Sequence, residues 1–367
     1  MFYWPFELPF MLDRGISTTQ IVLLFGIWSL VQIFFEVPSG YLADRFGRRH
    51  SMLFGALLFF AGVAIEAHSY SFWAFALAHV VIGVGNAMES GADTAIHYDT
   101  LSEAGLAERF SASQAILNNF ERAGIIVAFS LAGLLANWLG VVPLFYISLG
   151  FIFARVILIH GLEEVTVSVD QDEESGLSAL AVLHVFRSRA LLAILSVYAL
   201  VAVAFELPDE FVPVLNREVE LPIVLFGLWG CIVAVFGLLE PWLLTRLARW
   251  SPRKVIAGLS LFAIAMFAAG FGCPPLISPA FLVAAILGLE LSLTLVTALL
   301  NDHAPSSARA TVNSAASMVG RVFFLPFGLV FAQMAEAGSI QHSVSVVSIV
   351  ATALAILALA LARPRNA

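Results

Sequence analysis

The chain has 367 residues, of which 60% are hydrophobic and 12% charged, with a mean hydropathy of +0.94 and a formal net charge of −8 at pH 7. So few polar side chains cannot coat a water-soluble globule of this length, which excludes a soluble enzyme or binding domain and makes the chain an integral membrane protein. Strands of alternating polarity are missing, so helices cross the bilayer, each satisfying its own backbone where lipid offers no partner.

In chain order, Met1 to Leu12 (MFYWPFELPFML) reads as the outer end of a helix whose inner part is absent, because an Asp13-Arg14-Gly15 turn follows directly. A cleaved signal peptide is the weaker reading, since there is neither a basic leader nor a small-residue cleavage site. Segments able to span roughly 30 Å of hydrocarbon follow at 20–41, 52–67, 72–98, 112–136, 141–160, 190–213, 222–244, 254–272, 279–300, 312–335 and 344–362. These are eleven full spans after a partial one. The one sizeable hydrophilic connection, residues 161–189, carries Glu163, Glu164, Asp170, Asp172, Glu173 and Glu174 and reads as a solvated linker. It separates an N-terminal bundle, 1–160, from a C-terminal bundle, 190–367. Within it, Leu177 to Phe186 has the makings of a short helix on the membrane surface.

Orientation follows from Arg and Lys. Arg45, Arg48, Arg49, Arg109, Arg187, Arg189, Arg246, Arg249, Arg253, Lys254, Arg309, Arg363 and Arg365 fall on one side, and Arg14 and Arg217 on the other. This bias puts the loop after the first full span, and the C-terminus, in the cytoplasm of a multi-pass protein of the cytoplasmic membrane.

That loop reads GYLADRFGRR from Gly40 to Arg49. It resembles the signature between the second and third spans of the major facilitator superfamily, G-x-x-x-D-R/K-x-G-R/K-R/K, with Gly40, Asp44, Arg45, Gly47, Arg48 and Arg49 at every defined position. The run Glu36-Val37-Pro38-Ser39-Gly40, the stretch GADTAIHYD from Gly91 to Asp99 and ARATVNSAASMVGR from Ala308 to Arg321 resemble a prokaryotic branch of that superfamily rich in uncharacterised permeases. The resemblance covers nearly the whole chain. It implies an all-α major facilitator fold, two pseudo-symmetric six-helix bundles around a central site, here with a truncated first helix. The matching loop of the second half, after Glu240-Pro241, reads WLLTRLARWSPRK and keeps the positive charge without the Asp or the glycines.

The signature implies a gate. Gly40 and Gly47 suit close packing and a tight turn; Asp44 suits the positive end of the helix that starts near Thr311; the arginines suit carboxylates on neighbouring helices, Asp93 and Asp99 being candidates. Glu36 and Arg321 are further candidates for gate partners. Arg321 could instead answer Glu290, a lone carboxylate in its span, or Asp302.

An ionised side chain at a helix centre costs roughly 2.5–3.5 kcal/mol even on the lenient insertion scale, so the fourth span stands out, with Asn86, Glu89, Asp93 and His97. A continuous helix would align Glu89, Asp93 and His97 on one face at i, i+4 and i+8. Two carboxylates so placed cannot both ionise cheaply and can carry a proton. The alternative places Asp93 and His97 in the gate and only Glu89 toward the cavity. Glu206, Asp209 and Glu210 read as an acidic vestibule at the extracytoplasmic end of their span.

Phosphate-binding loops, Cys/His metal spacings and serine elbows are missing, so no cofactor, metal or enzymatic chemistry is implied, nor binding to nucleic acid. Cys231 and Cys273 read as packing residues. The resemblance implies a secondary active transporter, moving a small organic solute by alternating access with a proton as coupling ion, as a monomer in the lipid bilayer. Efflux is one direction. An uptake permease for a sugar or polar metabolite, and a membrane sensor that keeps the fold without transporting, are the alternatives.

Overall fold

The computed structural model describes residues 1–163, 188–304 and 309–361, and at Val37, Asp44, Ala310 and Thr311 the backbone only. The surface helix expected at Leu177 to Phe186 and most of the 161–189 linker lie outside the described residues. All regular structure among the described residues is helical. Among the described residues eleven helical stretches are long and apolar enough to cross a membrane, as expected, and large apolar side chains such as Phe34, Trp73 and Trp138 are exposed, where lipid is their natural solvent.

The helices are α1 (Glu7–Asp13), α2 (Thr18–Phe46), α3 (Arg48–Ala67), α4 (Phe72–Glu89), α5 (Ala92–Glu103), α6 (Phe110–Leu139), α7 (Val142–His160), α8 (Arg189–Glu218), α9 (Leu228–Leu247), α10 (Pro252–Gly272), α11 (Ser278–His303), α12 (Arg309–Ala337) and α13 (Ile340–Leu361). Several begin on caps legible in the sequence. Ser17 and Gln20 close a reciprocal capping box at the start of α2, and Ser71 and Ser188 accept from the first turns of α4 and α8.

The chain falls into two compact units. The first comprises Met1–Val169 with Pro222–Val235, the second Asp170–Leu221 with Phe236–Ala367. The short segment Pro222–Val235 thus groups with the N-terminal unit, where α6 receives it. At Gly133 of α6 an added Cβ would sit 2.2 Å from the carbonyl oxygen of Val224, so only a glycine admits that approach.

In the first unit α3 is central, packing on α4, α5 and α7, while α2 packs on α4. The α3–α4 seam is built from small residues: a Cβ at Gly55 would meet the Gly85 carbonyl at 2.7 Å, and one at Gly85 would meet the Gly55 carbonyl at 2.8 Å. Helices driven together by packing rather than by water need such smooth faces. The N-terminal segment is no loose end. Tyr3 stacks on Phe145 with ring centroids 4.4 Å apart, Phe10 lies against Phe145 and Phe75, and Phe6, Leu8 and Met11 are buried.

In the second unit α8 is central, packing on α11, α12 and α13. Its run Val197 to Ala204 is buried almost all round, as expected of a helix apolar on every face. Phe211 of α8 meets Phe331 of α12 edge-on at 4.5 Å.

Candidate functional site

The basic loop is nearly all helix. Helix α2 continues through Gly40, Asp44 and Arg45 to Phe46, α3 begins at Arg48, and Gly47 alone joins them with φ 97° and ψ 140°, a backbone conformation that side-chain-bearing residues rarely adopt. Gly47 therefore makes the tight turn, and Gly40 sits inside a helix. The Asp44 carboxylate and its expected neighbour near Thr311 lie outside the described side chains.

The arginines that follow the turn tie three helix ends together. Arg48 donates to the Asp99 carboxylate of α5, one of the two candidates named from sequence. Arg49 donates to the carbonyl of His160, the last residue of α7, at 2.6 Å. A guanidinium there meets the partial negative charge of exposed helix carbonyls. Both partners belong to the same unit as the loop. Arg45 turns back along α2 to the Tyr41 hydroxyl at 3.1 Å. Glu36 lies in α2 ahead of Pro38, and its carbonyl accepts from the Ser39 hydroxyl at 3.0 Å.

The expected polar stripe of the fourth span is broken in two. Helix α4 ends at Glu89, Ser90 turns out with ψ 123°, Gly91 takes a left-handed φ of 79°, and α5 starts at Ala92. Glu89, Asp93 and His97 consequently occupy different environments. Glu89 lies across Gly55 of α3, where a Cβ would come within 2.6 Å of its Cγ. Its Oε2 accepts from Arg155 of α7 at 2.7 Å, and its Oε1 is buried with no hydrogen-bond partner among the described residues. Asp93 is exposed at the start of α5 and accepts from the backbone N–H and hydroxyl of its neighbour Thr94 at 2.6 and 3.3 Å. His97 bridges to α6, its ring nitrogens 3.0 Å from Gln114 Oε1 and 2.9 Å from Ser113 Oγ. Asn86, one turn before Glu89, is partly exposed.

A second constellation lies in the second unit. Glu206 and Asp209, read from sequence as part of an outer vestibule, lie within α8, with Glu290 near the centre of α11 and Arg321 within α12. Glu206 has Arg321 as its charged neighbour, and Asp209 is close enough to feel both Glu290 and Glu206. Asp209 Oδ1 is buried without a hydrogen-bond partner among the described residues. Arg321 thus lies with a mid-helix acidic group. Pro208 lies between Glu206 and Asp209 and Pro213 follows one turn later, and each removes an in-helix donor, from the carbonyls of Ala204 and Asp209. The i, i+3 spacing of Glu206 and Asp209 was the available signal. Among the described residues no three His, Cys, Asp or Glu side chains group as metal ligands.

Ionisable groups inside apolar bundles are costly to keep there, which marks both constellations as candidate functional sites. The sequence pattern of the Major Facilitator Superfamily matches residues 1–328. An uncharacterised transporter of Buchnera aphidicola subsp. Schizaphis graminum is 27% identical over 149 residues, 41% of this chain and 37% of that protein. The quinolone resistance protein NorA of Staphylococcus aureus is 26% identical over 194 residues, 52% of this chain and 49% of NorA. The chain thus spans less than half the length of these curated relatives. The crystal structure of a mutant of the nucleoside transporter NupG superposes with a TM-score of 0.81 at 15% identity, covering 98% of this chain and 95% of that one. With a family match over most of its length and a fold shared end to end, the chain belongs to the Major Facilitator Superfamily and is a multi-pass membrane protein.

Proposed function

We propose that this transporter moves a small organic solute across the cytoplasmic membrane by alternating access, with the C-terminus on the cytoplasmic side, and that a proton exchanged at Glu89 drives the cycle. The observation that carries the reading is the Glu89–Arg155 pair: a largely buried carboxylate with one oxygen on a guanidinium at 2.7 Å and the other without a donor. A proton arriving at Oε1 cancels the charge that holds Arg155. The side chain of Arg155 is 43% exposed, so once released it has water to turn to. Glu89 ends α4 immediately before the Ser90-Gly91 break, so loss of the pair frees a natural hinge between α4 and α5. Helix α5 carries Asp99, the partner of Arg48, which supplies a route from proton to gate.

Within this reading the signature loop, Gly40 to Arg49, works as a latch. Arg48 and Arg49 hold the ends of α5 and α7 against the start of α3 in one conformation and let go in the other. Asp93 and His97 then belong to the gate, with Glu89 alone as the coupling group. Export of an amphipathic compound is favoured by the likeness to NorA, a protein named for quinolone resistance. The test is flux in inverted vesicles under an imposed pH gradient. Glu89→Gln should abolish gradient-driven movement while solute binding persists; unaltered gradient-driven flux in that variant rejects the proton role.

A further inference from the structure

The first unit holds another carboxyl group that the transport reading leaves unused. Glu66 is the penultimate residue of α3, at the opposite end of that helix from the basic loop, and it is 0% exposed. Neither of its side-chain oxygens has a hydrogen-bond partner among the described residues. A buried carboxylate with no donor and no cation costs many kcal/mol and does not persist in the ionised form.

The surroundings narrow the ways in which it can be satisfied. Among the described residues, the cation that reaches this end of α3 is Arg14, and it is committed elsewhere: it donates to the Ser69 carbonyl at 3.0 Å and lies over the rings of Tyr70 and Phe10, 3.6 and 4.6 Å from their centroids. His68, two residues on, faces the Ala64 carbonyl with one nitrogen and the Tyr146 hydroxyl with the other. The titratable groups facing Glu66 and its neighbour are the phenol of Tyr3, fixed by its stack on Phe145, and the amino group of Met1.

That neighbour is Glu7, the first residue of α1, whose carboxyl lies beside that of Glu66. Two ionised carboxylates are both acceptors and cannot bond to each other. One proton makes one of them a donor, satisfies both and removes half of the charge in a single step. Glu7 is partly exposed while Glu66 is fully buried, so Glu66 is the sealed end of the pair.

We propose that Glu7 and Glu66 form a carboxyl dyad that binds a single shared proton, a site in the first unit distinct from Glu89. The assignment is independent of which carboxylate couples to solute. Burial pushes Glu7 up to about 7, which sets the range in which to look.

The probe is a hydrophobic carbodiimide, which reacts with protonated carboxyls in apolar surroundings, applied to intact wild-type protein in detergent and mapped by peptide mass spectrometry. The dyad should take one label, on Glu7 or on Glu66 but not on both, and labelling should fall about tenfold from one pH unit below its midpoint to one above. Glu7→Gln and Glu66→Gln should each abolish the protonated-carboxyl infrared band that titrates in the same range. Wild-type labelling needs no variant to fold, so it decides the matter if Glu66→Gln does not. Both residues unlabelled at every pH, or both labelled in one molecule, overturns the dyad. If labelling follows the prediction while a pH gradient leaves solute flux unchanged, the dyad stands and the coupling proposed for Glu89 falls.

Discussion

Removing the two members of the Glu89–Arg155 pair should have unequal costs, and the inequality follows from their exposure. The Glu89 side chain is 13% exposed and that of Arg155 43%. Arg155→Ala strands a largely buried carboxylate that already has one oxygen without a donor, a situation that costs roughly 3–5 kcal/mol when the pair is sealed from water. Glu89→Gln leaves a guanidinium that reaches solvent, and the loss there is nearer ~1 kcal/mol after screening. The double variant, with a neutral carboxamide and no cation, should recover most of the Arg155→Ala deficit, a coupling of the size seen between residues in direct contact. Thermal unfolding of the purified protein, followed by tryptophan fluorescence, supplies the double-mutant cycle. Equal losses for the two single variants, or a double variant whose loss is their simple sum, would refute the reasoning.

Other consequences are open to measurement. Asp99→Asn should release Arg48 and shift the balance between inward-open and outward-open forms about fivefold or more, the low end of a typical coupling energy, in spin-label distance distributions; unchanged distributions would mean the contact does not latch anything. Gly47→Ala should destabilise by ~1–3 kcal/mol because of its φ of 97°, whereas Gly40→Ala, inside α2, should be neutral or stabilising by up to ~1 kcal/mol; equal effects in thermal unfolding would contradict the assigned turn. Burial raises Glu7 from an ordinary value of 4.5 to about 7, so the folded protein holds a proton that the unfolded chain gives up. The stability contributed by that proton is complete below the unfolded value and is lost as pH rises through the folded one. The unfolding temperature should therefore fall between those pH values, and Glu7→Gln should flatten the slope; a slope unchanged by that substitution would count against the buried site.

Much of the architecture was legible because bilayer thickness and backbone hydrogen bonding leave few solutions: long apolar runs had to be helices, and the arginine distribution marked the loop at Gly40 to Arg49. The Arg48–Asp99 pair was within reach too, since a charged loop beside an acidic helix end seeks it. Contacts between distant helices were not. Periodicity aligns Glu89 with Asp93 and His97 only while the helix continues, and nothing local separates Gly91, which breaks it, from Gly83 and Gly85, which pack inside α4. Arg155 as the partner of Glu89, Arg321 beside Glu206 and the approach of Glu7 to Glu66 all depend on tertiary packing, which one-dimensional spacing does not encode. The apolar run that holds Glu206 and Asp209 ends near residue 213, whereas α8 continues to Glu218.

The central claim is that a proton at Glu89 moves the transporter through its cycle. Purified protein in proteoliposomes with an imposed pH gradient, assayed against a panel of amphipathic and polar solutes, tests it most directly. At least one solute should accumulate against its own gradient, a protonophore should abolish the accumulation, and Glu89→Gln should retain binding without it. Accumulation that survives the protonophore, or that Glu89→Gln leaves intact, would contradict it.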